Sequence, residues 1–91
     1  MNPIIRNMVN QKIRSLTTKE LIRFGREQKI SLTVSQANEI LTVLHTVPFD
    51  IGNKKRVLKI NNELKKMDPS LYKKGRKLLK PYETYLDYSL D

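Results

Sequence analysis

Lysines recur at helical spacing in residues 54–80, and their ammonium groups are the side chains of this sequence best placed to act together. Six of them fall on the solvent side of two predicted helices, namely Lys55, Lys59, Lys66, Lys73, Lys77 and Lys80. An ammonium binds phosphate and carboxylate oxygens as a point charge, so these positions predict an anion-binding surface. We expect a nucleic-acid backbone as the first partner and an acidic protein as the second.

The positive charge of the chain is concentrated rather than spread evenly. Residues 54–80 contain eleven Lys or Arg and two acids, the first 29 residues contain seven and two, and the last eleven contain three acids alone. A merely solvated helix face usually carries acids among its lysines, so this imbalance favours a binding role. The alternative interpretation is that the lysines serve only solubility, because lysine is common on exposed helix faces.

Catalytic and metal-binding patterns are missing from the sequence. His45 is the only histidine, there is no cysteine, and Asp50 has no second carboxylate at a spacing suited to acid–base chemistry. Neither a phosphate-binding loop nor a GxGxxG pattern occurs. We therefore expect no enzyme activity, cofactor or metal, and we interpret His45 as a surface residue and Asp50 as a helix cap.

The second and third predicted helices could be taken for a helix-turn-helix or a SAP-like module. A recognition helix needs donors near its start, whereas residues 34–47 contain no Lys or Arg and do contain Glu39. Gln36 and Asn38 could contact bases, but Gln36 is better explained by a capping role. Base-specific DNA reading is therefore not favoured.

Capping residues and prolines in the sequence predict five helices, and these helices position the lysines. Asn2 and Asp68 each precede a proline and cap the first and the fifth helix, whereas Asp50 or Asn53 caps the fourth. Pro81 marks the end of the fifth helix or a kink. The predicted helices span residues 3–15, 18–28, 34–46, 53–67 and 69–80.

Two capping boxes mark the starts of the central helices. Thr17 with Glu20, and Thr33 with Gln36, have the spacing at which the threonine hydroxyl accepts from the amide three residues on while the longer side chain reaches back. These two boxes fix the starts of the helices and, with them, the angle between the helices.

Apolar residues at helical spacing predict one core and an all-α fold, a small and roughly orthogonal bundle of about five helices. We expect a single domain over residues 1–80, with residues 81–91 as a tail that frays or docks as a short helix through Tyr82, Tyr85, Leu86 and Leu90. Met8 and Met67 extend the apolar stripes of the first and fourth helices. The predicted core consists of Ile5, Leu16, Leu21, Phe24, Ile40, Leu41, Leu44, Val57, Ile60, Leu64, Leu71 and Leu78.

A cytoplasmic protein without membrane association is expected. The sequence has no run of 18 apolar residues, its start lacks the features of a signal peptide, and the absence of cysteine is compatible with a reducing compartment. The alternative functional class is a structural or protein-interaction module, which could form a homo-oligomer through apolar surface left over from the first helix or the tail.

At LTTKEL, ISLTVSQANEIL and FDIGNKKRVLKIN the chain resembles a family of short uncharacterised helical proteins of Bacillus-type bacteria, over about residues 1–80. The resemblance implies a small bacterial cytoplasmic helical domain without an established activity and without catalytic residues to transfer. The lysine excess of residues 54–80 and the tyrosine tail do not map to that pattern. The matching positions are Leu16, Thr17, Glu20, Leu21, Ile30, Thr33, Gln36, Ala37, Ile40, Phe49 and Arg56, mostly helix-start and core positions.

Overall fold

The structure, a computed structural model, describes residues 2–88 and contains no strand within them. The predicted all-α bundle of five helices is therefore confirmed, and each helix begins within one residue of its predicted start. A 3-10 segment, Lys80–Tyr85, follows the last helix. The helices are α1 Pro3–Arg14, α2 Thr18–Glu27, α3 Val34–Thr46, α4 Lys54–Met67 and α5 Pro69–Leu79.

Both predicted capping boxes are present. The hydroxyl of Thr17 accepts from the amide of Glu20, and the Glu20 carboxylate accepts from the Thr17 amide, at 3.2 Å each. Thr33 and Gln36 make the same two bonds at 3.0 Å. Because these bonds satisfy amides that a helix start leaves unpaired, α2 and α3 begin where the sequence predicts.

The other three helices also begin at side-chain caps. Asn2, Asn53 and Asp68 cap α1, α4 and α5, and each accepts from a backbone amide two or three residues further on. The interpretation of Asp50 as a helix cap is wrong, because Asn53 alone caps α4. The carboxylate of Asp50 is instead held by α1, more than 35 residues earlier in the chain.

One core holds the bundle together. Eight of the twelve predicted core residues are buried, and the other four, Ile5, Leu16, Phe24 and Leu44, are partly buried and pack against them. Ile51 is fully buried as well, although it lies in the connection between α3 and α4, where helical periodicity gives no signal. The buried members of the predicted set are Leu21, Ile40, Leu41, Val57, Ile60, Leu64, Leu71 and Leu78.

Two methionines predicted on apolar stripes are instead exposed, Met8 at 66% and Met67 at 49%. Asparagines take up buried positions on the same helices, with Asn10 at 7% and Asn61 at 3% exposure. Asn10 is buried because its amide binds the connection between α3 and α4, which turns the inward face of α1 away from Met8. Met67 is the last residue of α4, where the helix face leaves the core.

Asn61 carries an unsatisfied hydrogen-bond donor in the core. Its Nδ2 atom is buried and has no hydrogen-bond partner among residues 2–88, and it borders an otherwise largely apolar cavity of about 60 Å³. Because an orphaned buried donor costs about 1–3 kcal/mol, we expect Asn61→Leu to raise the free energy of unfolding by about 1 kcal/mol in urea denaturation. The neighbouring exposed Asn62→Leu should change it by less than about 0.5 kcal/mol. A clear loss of stability in Asn61→Leu would contradict this expectation.

Helix α2 ends in a Schellman motif with a lysine at the position that usually holds glycine. The amide of Ile30 donates to the carbonyl of Gly25 at 2.8 Å, and the amide of Lys29 donates to that of Arg26 at 3.0 Å. Lys29 has a φ of 61°, which is the left-handed region. A side chain with a Cβ atom is disfavoured there by about 1–2 kcal/mol. The motif therefore carries local strain at Lys29.

Replacing this lysine by glycine should stabilise the protein. We expect Lys29→Gly to raise the free energy of unfolding by about 0.5–1 kcal/mol, since the relief of strain exceeds the added entropy of the unfolded chain. Gln28→Gly is the matched control, because Gln28 has a φ of −92° and gains nothing from glycine. Urea denaturation of both variants tests the expectation, and equal stability changes would contradict it.

The residues after α5 pack against the bundle. The Tyr82 ring stacks on Phe24 with centroids 6.3 Å apart, and the Tyr88 hydroxyl donates to the carbonyl of Ile51 at 2.6 Å. Tyr85 points to solvent with 45% exposure. Leu90, which the sequence pattern places in the same segment, lies outside the described residues. The segment therefore reaches the core through Tyr82, Leu86 and Tyr88.

Candidate functional site

Helices α4 and α5 form an antiparallel pair joined by the single residue Asp68. A Cβ atom placed on Gly75 would lie 3.1 Å from Leu64 Cδ1, so the Leu64 side chain packs directly against the backbone of α5 at this point. The Lys65 ammonium lies 5.5 Å from the centroid of the Tyr72 ring. Residue numbers in these contacts rise along α4 as they fall along α5, which gives the antiparallel direction.

All six lysines predicted to bind an anion are exposed. Three lie on α4, two lie on α5, and Lys80 begins the 3-10 segment. We call these six lysines, Lys55, Lys59, Lys66, Lys73, Lys77 and Lys80, the lysine rows.

The two acids of residues 54–80 add little negative charge to this surface. The Glu63 carboxylate lies 3.5 Å from the Lys66 ammonium in an exposed pair, whose contribution to stability is about 0–1 kcal/mol. Asp68 accepts from the Ser70 amide at 2.9 Å as the cap of α5. One acid is thus a weak surface partner, and the other is used at a helix start.

Lys74 lies in the same stretch of the chain as the lysine rows but has a structural role. Its ammonium donates to the carbonyl of Ser31 at 2.7 Å and to the Gln36 side chain at 3.0 Å. Gln36 therefore serves both the capping box of α3 and the attachment of α5 to the connection between α2 and α3. The Lys74 ammonium is therefore engaged within the chain, unlike an ammonium that is free to bind an anion.

A cluster around Asp50 is the feature of the structure that sequence reasoning missed. Arg6 donates from Nε to Asp50 Oδ1 at 2.9 Å and forms an ion pair with Oδ2. Asn10 Nδ2 and the Gly52 amide donate to the same Oδ1 at 3.0 Å each. The hydrogen bond from Arg6 lowers the pKa of Asp50 most, burial opposes that shift, and the donors from Asn10 and Gly52 lower the pKa further.

The same face of α1 makes two more polar contacts with the connection between α3 and α4. Asn10 Oδ1 accepts from the Ile51 amide at 2.7 Å, and Arg14 Nε donates to the Phe49 carbonyl at 2.8 Å. Arg6, Asn10 and Arg14 therefore form a polar stripe at a spacing of four residues, and this spacing is the signal that could have revealed the cluster.

A hollow of about 580 Å³ beside this stripe is a weaker candidate for a site. Its lining includes Arg6, Arg14 and Asp50. Both arginines already donate to this chain, and the Asp50 carboxylate would repel an anion. We therefore interpret the stripe as the contact that docks α1 on the bundle.

His45 is exposed near the end of α3, as a surface residue should be. Within residues 2–88, no group of three or more His, Asp or Glu side chains is placed to hold a metal ion. In the same part of the chain, every helix is too short or too polar to reach across a bilayer.

Neither the curated proteins nor the solved structures contain a match to this chain. A family model with the description "Protein of unknown function (DUF2624)" matches residues 1–83. This match confirms the resemblance to a family of uncharacterised proteins that the helix-start and core positions indicate. Because it covers most of the 91 residues, the chain belongs to the DUF2624 family of proteins of unknown function.

Proposed function

We propose that this protein is a non-enzymatic module that binds a nucleic-acid backbone through the lysine rows. The observation that carries the proposal is the exposure of all six ammonium groups on two antiparallel helices and the segment that follows them. The two acids in the same stretch do not offset this charge, because Glu63 forms one exposed pair and Asp68 is a helix cap.

The chemistry of lysine sets the expected mode of binding. An ammonium on a flexible stem contacts phosphate oxygens as a point charge and does not read base edges with a fixed geometry. Its contact with a phosphate releases a condensed counterion, so affinity falls steeply as salt rises. The lysine rows should therefore bind duplexes of different sequence with similar affinity.

Nucleic acid is a better partner for the lysine rows than an acidic protein. The centre of a stable protein interface usually contains aromatic or other apolar anchors. Beside the rows, Met67 is the one large apolar side chain of α4 that is exposed in the described part of the chain, and the half-buried Tyr72 ring is already engaged with Lys65 and Arg76. One methionine makes a small anchor for a protein interface. An acidic protein remains the second candidate for this surface.

Self-association is a separate candidate function, favoured by one observation. Ile4 and Met8 lie one turn apart on α1 and are 70% and 66% exposed. Two large apolar side chains on one exposed face are typical of a small contact between proteins. Sedimentation of the free protein at several concentrations tests this candidate, and a monomer at every concentration would contradict it.

Titration of a fluorescently labelled DNA duplex tests the proposal. We expect binding at about 50 mM salt and an affinity at least about tenfold lower at about 200 mM, because several phosphate contacts are lost together. Duplexes of the same length and different sequence should give similar affinities. Absence of binding at the lower salt concentration would overturn the proposal.

A further inference from the structure

A second basic surface lies on α2 and on its connection to α3. Two adjoining hollows, of about 420 and 220 Å³, share Ile22 and Arg26 in their linings. Val34 belongs to the first hollow and Leu32 to the second, so apolar side chains form the floor. We call the two hollows together the α2 groove, with Lys19, Arg23, Arg26 and Lys29 as its rim.

The floor of the groove exposes apolar surface that a phosphate backbone would not use. Val34 is 61% exposed although it is β-branched and opens α3, and Ile22 is only half-buried. Exposed apolar side chains surrounded by polar residues are typical of a protein-binding site. The chemistry of this floor therefore differs from that of the lysine rows.

The rim carries charge of one sign. Lys19, Arg23 and Arg26 follow the i, i+4, i+7 spacing of one helix face, and no acid lines either hollow in the part of the chain that the structure describes. The acids of α2, Glu20 and Glu27, line a different hollow on the side of α1, which they share with Arg23. Lys19, Arg26 and Lys29 line no hollow with an acid among those described. The groove therefore has a basic edge around an apolar floor.

Lys29, at the edge of the groove, has a strained backbone conformation. Its φ of 61° would suit glycine better, and a lysine there reduces stability. The lysine adds a cation to the rim beside Arg26. Strained backbone is often concentrated at functional sites, and here the strain accompanies a charge at the edge of the groove.

We propose that the α2 groove binds an acidic amphipathic helix of a partner protein. The apolar ridge of such a helix would lie on the floor, and its carboxylates would face the rim, as in helix-in-groove recognition. A second copy of this chain does not match that chemistry, because each protomer has a net charge of +9 and the one described helix with more acids than bases, α3, carries a single glutamate, Glu39. The proposal is independent of nucleic-acid binding by the lysine rows.

The probe for this proposal is a synthetic peptide of about 15 residues, with leucines at i, i+3 and i+7 and glutamates between them, labelled with fluorescein. We expect fluorescence anisotropy to show saturable binding to the wild-type protein. A peptide of the same composition with its leucines scattered should bind at least about tenfold more weakly, because it lacks the apolar ridge.

Charge-matched variants assign the peptide to the groove. Arg26→Glu/Lys29→Glu should weaken peptide binding at least about tenfold, whereas Lys59→Glu/Lys77→Glu, with the same change of net charge, should leave it within about threefold. Val34→Asp should weaken peptide binding, because it places a charge in the apolar floor of the groove. Lys29→Gly should bind more weakly than wild type while being more stable, which separates binding from folding.

Three outcomes would overturn the proposal. The first is equal binding of the ordered and the scattered peptide. The second is an equal loss in the two charge-reversed variants, which would show attraction by net charge alone. The third is stronger association with vesicles of phosphatidylcholine and phosphatidylserine than with the peptide, abolished by Val34→Asp, which would assign the groove to a lipid surface. The proposed function is tested separately. If Arg26→Glu/Lys29→Glu still binds the duplex, nucleic-acid binding by the lysine rows stands even when one of these three outcomes overturns the groove proposal.

Discussion

Reversing the charge of Lys59 and Lys77 together is expected to abolish duplex binding at about 50 mM salt. Each lysine that neutralises a phosphate releases about 0.9 counterions, which at this salt concentration corresponds to about a tenfold gain in affinity. Loss of two contacts should therefore lower affinity about 100-fold, and the new carboxylates should add repulsion. Both lysines are exposed, so the fold should persist. Fluorescence anisotropy with a labelled duplex measures the effect.

Two controls separate this result from a general loss of positive charge. Lys12→Glu reverses one exposed charge on α1 and should change affinity much less than Lys59→Glu does. Arg26→Glu/Lys29→Glu changes the net charge by the same amount as the lysine-row variant and should retain duplex binding. Equal losses in all of these variants would show that net charge, rather than the lysine rows, carries the affinity.

Asp50→Ala is expected to cause the largest loss of stability, about 2–3 kcal/mol in urea denaturation. The substitution removes the acceptor of hydrogen bonds from Arg6, Asn10 and the Gly52 amide. The Asn10 side chain is buried, so its amide donor would lose its carboxylate acceptor inside the protein. Glu27→Ala, at an exposed carboxylate, should change stability by less than about 0.5 kcal/mol.

The pH dependence of stability should follow from the same carboxylate. Arg6, Asn10 and Gly52 hold the pKa of folded Asp50 below its ordinary value. Between that lowered pKa and the unfolded value of about 3.9, the unfolded chain binds the extra proton, so the contribution of Asp50 to stability falls as pH falls. The stability difference between wild type and Asp50→Asn should therefore be constant near neutral pH and shrink below about pH 4. A difference independent of pH down to about pH 2 would contradict this assignment.

Helix starts were predictable because their signals act over two or three residues. Thr17 with Glu20 and Thr33 with Gln36 satisfy their own local amides, and Asp68 caps the helix that follows it. Such bonds form however the helices pack against one another. The sequence also placed the lysine rows on exposed faces, because an apolar stripe fixes the opposite side of its helix.

Contacts between distant residues could not be predicted in the same way. Asp50 meets Arg6 and Lys74 meets Ser31 only after the helices have docked, at sequence separations of 44 and 43 residues. Burial of Asn61 likewise depends on which residues pack against α4. Asparagine is mostly found at the surface, so the residue type alone predicts that Asn61 is exposed. These residues report the packing of the bundle, which periodicity within a single helix does not encode.

The slope of log affinity against log salt concentration, measured for duplex binding by wild type and by Lys59→Gln/Lys77→Gln, tests the central claim most directly. Neutral substitutions remove phosphate contacts without adding repulsion, so the slope should become shallower by about 2, at about 1 per lysine. The affinity of the variant should fall similarly on duplexes of different sequence. An unchanged slope would contradict the claim, because the lysine rows would then make no contact with phosphate.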